Sequence, residues 1–80
     1  METKVAVISI VVEKRSAVDQ LNALLHEYGQ YIIGRLGLPY KEKNINIICI
    51  AIDAPADTVS ALTDAIGKIQ DVNAAVTYAD

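Results

Sequence analysis

Residues 5–12 read VAVISIVV and residues 45–52 read INIICIAI. Each run is rich in β-branched side chains, apolar at nearly every position and too short for a helix, which is the pattern of a strand buried on both faces. The segment after each run has a different period. Past the first, Ser16 offers a side-chain oxygen as a helix N-cap with Asp19 three places on, and Val18, Leu21, Leu25 and Tyr28 recur at helical spacing. Gly29 follows, a residue free to end the helix in the left-handed region. Past the second, Pro55 stands where a first helical residue would, and Val59, Leu62, Ile66 and Ile69 repeat the same spacing.

Two weaker segments complete the chain. Tyr31 to Leu38 reads as a strand interrupted by Gly34 and Gly37, the mark of an edge or a bulge, and Pro39 to Asn44 follows as a polar turn. Asp71 to Tyr78, DVNAAVTY, is a last strand of mixed polarity. A single shift of 41 positions, the step from Val18 to Val59, lays the apolar stripe of the first helix on that of the second without a gap. The same shift lays strand one on strand three and strand two on strand four. Such a duplication predicts an α+β, ferredoxin-like fold of βαββαβ order: a four-stranded antiparallel sheet with two helices on one face, as one domain over residues 1–80. Strands one and three, the most apolar, belong at the centre, and the glycine-bearing and polar strands at the edges.

Two helices cover one face of such a sheet, yet the central strands are apolar on both. Ile8, Ile10, Ile48 and Ile50 share one face; Val7, Val11 and Ile47 share the other with Ser9, Cys49 and Ala51. An apolar face left bare marks an interface, and a second copy is the simplest cover, so a homo-oligomer, dimer or tetramer, is expected. Composition agrees. The chain is 52% hydrophobic without Trp or Phe, its mean hydropathy is +0.30, and 80 residues bury only about 60% of the unfolded surface.

The net charge of −3 and pI near 4.9 lack the basic footprint of a nucleic-acid binder, so no direct nucleic-acid contact is expected. The single cysteine, Cys49, cannot form an intrachain disulfide and there is no zinc-type cysteine pair, which fits a reducing compartment. Met1-Glu2-Thr3-Lys4 opens directly into the first strand rather than a secretion signal. No run approaches the roughly 18 apolar residues of a membrane span. A cytoplasmic location with no membrane partner is the expectation.

Arg35 is the most unusual residue, a guanidinium between Gly34 and Gly37 where missing side chains leave room for something to approach the backbone. A small anion could sit there; alternatively, Arg35 is an edge charge that discourages unwanted strand pairing. Lys41 and Lys43 would extend a positive patch, with Glu42 between them opposing it. His26, beside the apolar stripe, reads as a solvated histidine near a helix C-terminus, and Cys49 as a buried small hydrophobe. Tyr28, Tyr31 and Tyr40 cluster in sequence around the second strand and could line a pocket, although Tyr28 at helical spacing reads as core. One histidine and one cysteine do not complete a metal site. No nucleophile with a base, phosphate loop or metalloprotease pattern is present, so neither catalysis nor a cofactor is expected.

The stretch His26 to Tyr40, HEYGQYIIGRLGLPY, resembles the small regulators of the iron-only hydrogenase system, with Gly34-Arg35-Leu36-Gly37-Leu38-Pro39-Tyr40 as the most specific part. The resemblance continues through Asn44 to Ile48 and Ala61-Leu62-Thr63 to Gly67. It implies an ACT-like, ferredoxin-like fold, similar to the ligand-sensing domain of the nickel-responsive repressor, and an association with hydrogenase maturation. Against that repressor, no DNA-reading segment precedes Val5 and the several histidines of its nickel site are missing. Against amino-acid-binding ACT domains, the turn after strand one is Glu13-Lys14-Arg15-Ser16 and carries no glycine. The leading expectation is a homo-oligomeric regulator that holds a small anionic ligand or a partner protein near Arg35, Gly34, Gly37, Tyr40 and His26. The alternatives are a small enzyme or metal-handling accessory, with His26 or Cys49 in a polar cleft, and a purely structural oligomerisation module.

Overall fold

The computed structural model describes residues 2–79. Strand β1 (Lys4–Val12), helix α1 (Ala17–Glu27), strands β2 (Ile32–Tyr40) and β3 (Ile45–Ala54), helix α2 (Ala56–Gly67) and strand β4 (Val72–Tyr78) follow in βαββαβ order. The strands form one antiparallel sheet in the order β2-β3-β1-β4. The two continuous apolar runs are thus the central pair, and the glycine-bearing and mixed-polarity strands are the edges, as their composition requires.

Alternation along the strands sorts the side chains. Ala6, Ile8, Ile10 and Val12 of β1 and Ile48, Ile50, Ile52 and Ala54 of β3 face the helices and are buried. They meet Leu21 and Leu25 from α1 and Val59, Leu62 and Ile66 from α2, the positions that the 3.6-residue period selects. Each large aliphatic enclosed in this layer contributes about 1.5–3 kcal/mol. No polar side chain among the described residues is buried with it.

The ends of the elements depart from the sequence reading. Ser16 makes no side-chain cap. The turn before α1 is already helical in conformation, and the Ala17 and Val18 amides donate to the Lys14 and Arg15 carbonyls, so the first donors are met by backbone. Gly29 takes no left-handed conformation, because the chain tightens into a 3-10 turn at Gly29–Tyr31 in which the Tyr31 amide donates to the Tyr28 carbonyl. The left-handed positions fall at Asn44 (φ 56°) and Asp71 (φ 65°), each one residue before a strand begins. Pro55 is the N-cap of α2 rather than its first residue. Strand β2 starts after Tyr31 and runs on through Pro39 to Tyr40; a proline is tolerated there because β2 is an edge strand, whose outer amides have no partner.

One irregularity decides how β2 presents itself. Ile32 pairs with Ile52 but Gly34 pairs with Ala51, so Ile33 is an extra residue, a β-bulge. Because side chains alternate with a period of two, one extra residue moves everything after it to the opposite face. Leu36, Leu38 and Tyr40 pair with Cys49, Ile47 and Ile45 and therefore lie on the face away from the helices, while Arg35, Gly37 and Pro39 lie on the helix side opposite Ile50, Ile48 and Asn46.

Candidate ligand groove and open sheet face

The face without helices is apolar across three strands. Cross-strand rows run Gly34–Ala51–Val7, Leu36–Cys49–Ser9 and Leu38–Ile47–Val11. Val7 is 45% exposed, Leu36 56% and Leu38 51%. Among the strand residues of this face described for β1, β2 and β3, Asp53 at the rim beside Val5 is the one charge. Gly34 leaves a shallow depression of about 220 Å³ bordered by Val7, Leu36, Cys49 and Ala51. Nothing stands within 4 Å of where a Cβ of Gly34 or of Gly37 would be, so neither glycine is demanded by the packing of its own chain.

On the helix side, β2 and α1 enclose a narrow groove of about 210 Å³ over Gly37 and Ile48, closed by Val18, Asn22 and Arg35. The Arg35 guanidinium Nη2 donates to Asn22 Oδ1 at 2.9 Å across the groove mouth. That single neutral acceptor satisfies a fraction of the five donors of the guanidinium and none of its charge. Past Pro39 and Asn46, which line both spaces, the groove meets a larger cleft of about 400 Å³ at the end of the sheet, lined by Arg15, Tyr40, Lys41, Asn44 and Ile45. The Tyr40 hydroxyl donates to Glu42 Oε2 at 3.2 Å at its edge.

The residues expected to form one ligand site are thus divided by the sheet. Arg35 and Gly37 share the helix-side groove; Gly34 and Tyr40 belong to the open face, where Arg35 also borders the Gly34 depression and Tyr40 reaches the end cleft. His26 sits exposed in the last turn of α1, one turn beyond Asn22, and lines none of these spaces. The three tyrosines do not converge: Tyr28 and Tyr31 pack against the core where α1 ends, and Tyr40 stands at the far end of β2. Cys49 is not fully buried as its apolar run suggested; it is half-buried, because its face of the sheet is bare. Among the described residues no three His, Cys, Asp or Glu side chains gather as a metal set would, and no helix is long and apolar enough to cross a membrane.

Three polar lining residues escaped the sequence reading. Asn22 lies one helical turn past Val18 on the side of α1 that meets β2, so its position was deducible once β2 was known to flank α1. Asn46 is opposite Pro39 in the strand register. Arg15 carried no signal beyond its charge, because the turn that holds it was read only for lacking glycine.

The architecture recurs in solved structures. A structure of the uncharacterized protein TM1266 from Thermotoga maritima superposes with a TM-score of 0.95 at 31% identity, over 99% of this chain and 100% of that one. A nitrogen regulatory PII-like protein, CPII from Thiomonas intermedia K12, solved with ADP, AMP and bicarbonate, shares the fold at a TM-score of 0.50 and 15% identity, over the full length of both chains. No curated protein matches the chain. The glycine-arginine strand, the duplicated βαβ halves and the close superposition agree with a family model that matches residues 4–76, and the chain belongs to that family, the TM1266-like proteins described as "Iron-only hydrogenase system regulator, putative".

Proposed function

We propose that this chain is a single-domain, non-catalytic regulatory module of the iron-only hydrogenase system. It works as a homo-oligomer whose copies meet through their open sheet faces, and it holds a small anionic ligand in the groove between α1 and β2. The observation that carries the reading is the open face, where Val5, Val7, Leu36 and Leu38 are each about half exposed on a surface with one charge at its rim. Burying the exposed half of four such side chains contributes about 3–6 kcal/mol per copy, comparable to the whole stability of a small domain. Gly34 adds a socket on that surface for a side chain of the facing copy.

The groove supports the ligand half of the reading. Gly37 costs strand propensity without serving its own chain's packing, and it leaves the space beneath Arg35 open. The PII-like neighbour, solved with nucleotides and bicarbonate, is a case of the same fold beside small anions. A net charge of −3 argues for regulation through protein contacts rather than through DNA.

Native mass spectrometry of protein purified from its source without denaturation tests both halves in one spectrum. An oligomer carrying a reproducible extra mass that Arg35→Ala loses supports the whole reading. An oligomer that never carries extra mass favours the structural module, and a well-folded monomer removes the sheet-face pairing.

A further inference from the structure

We infer that the cleft at the end of the sheet is a binding site for a phosphate-class dianion, held by Arg15 and Lys41 with the side-chain amides of Asn44 and Asn46. The inference rests on the regulatory reading only in taking the ligand to be anionic; it does not depend on sheet pairing.

The fold creates the site by bringing two turns together. Val12, Asn46 and Pro39 are neighbours across three strands, so the turn after β1 and the turn after β2 leave the sheet side by side. They carry Lys14, Arg15, Lys41 and Lys43, four of the seven cations in a chain whose net charge is −3. Glu13 and Glu42 lie in the same turns and leave them a net charge of +2, with the Glu42 carboxylate accepting from the Tyr40 hydroxyl at the edge of the cleft. The side-chain hydrogen bonds among the described residues run from Arg35 to Asn22, Tyr40 to Glu42 and Thr63 to the Val59 carbonyl. Arg15, Lys41, Asn44 and Asn46 therefore line the cleft with their side-chain donors uncommitted.

The surroundings favour a dianion. A guanidinium fork beside an ammonium and amide donors matches the several oxygens of a tetrahedral anion better than the two of a carboxylate. Asn44 takes the left-handed conformation and its amide donates to the Lys41 carbonyl, closing the turn, and both residues line the cleft. A cleft of about 400 Å³ exceeds what a bare phosphate fills, and its continuity with the Arg35 groove leaves space for the body of a phosphate monoester.

The test is an amide and side-chain NMR titration of the full chain at constant ionic strength, with inorganic phosphate, glycerol phosphate and acetate as separate probes. Phosphate is expected to give saturable shifts at Arg15, Lys41, Asn44 and Asn46, with acetate at least ten-fold weaker. Arg15→Ala and Lys41→Ala should each weaken phosphate binding ten-fold or more. Lys4→Ala, which removes the same charge from the far end of β1, should leave it unchanged. Both cleft cations are exposed, and retained dispersion of the spectrum verifies folding in each variant. Tighter binding of glycerol phosphate with added shifts at Arg35 and Gly37 identifies a monoester; equal binding identifies free phosphate. Shifts that do not saturate through the millimolar range, or that persist equally in Arg15→Ala and Lys4→Ala, overturn the assignment. Because the readout is binding, a monomer that still binds phosphate removes the pairing hypothesis and leaves this one intact.

Discussion

Leu36→Glu separates what one copy needs from what an assembly needs. Leu36 lies on an edge strand opposite Cys49 with 56% of its surface exposed. In a single chain a glutamate there stays in water, and a surface change of this kind costs within about 1 kcal/mol. If a second copy covers the face, the substitution forfeits about half of a leucine's 1.5–3 kcal/mol in each copy, or about 1.5–3 kcal/mol per pair. It also buries two carboxylates with no cation on the face to meet them, which adds several kcal/mol. A total of at least about 4 kcal/mol corresponds to a 1000-fold weaker association. Sedimentation equilibrium over a concentration series, paired with thermal unfolding of the dissociated chain, reads both quantities. The expected result is a folded monomer where the parent chain assembles. Equal masses and equal concentration dependence for parent and variant would refute the sheet-face reasoning.

Two further predictions concern the fold that positions the sites. Ile50→Ala removes a fully enclosed side chain from the central strand and should cost about 2–5 kcal/mol in urea unfolding, far more than any substitution on the open face; a loss below 1 kcal/mol would contradict the assigned core. Deleting Ile33 removes the bulge residue and turns Arg35 away from Asn22. The expected readouts are loss of protection of the β2 amides in hydrogen exchange and a shifted Asn22 side-chain resonance, whereas an unchanged spectrum around Asn22 would show that the bulge does not set the facing of β2.

The architecture was legible because it is written in local periods. Uniform β-branched runs at residues 5–12 and 45–52 require burial on both sides, two stripes of period 3.6 require helices that cover one layer, and the 41-position shift relates the halves. Together these place β1 and β3 at the centre and leave Val7, Val11, Ile47 and Cys49 on a bare face, which is where they lie. Helix ends were less legible, since backbone hydrogen bonds to the Lys14, Arg15 and Tyr28 carbonyls did what Ser16 and Gly29 were expected to do. The facing of β2 was decided only by tertiary structure. Gly34 and Gly37 signalled an irregular edge, but whether an extra residue falls before or after Arg35 depends on pairing with β3, a contact between positions far apart in the chain. That one residue sends Leu36 and Leu38 to the open face and Arg35 to the groove. Likewise Arg15 and Lys41 become neighbours only when β1, β3 and β2 align their ends, because no local period links two separate turns.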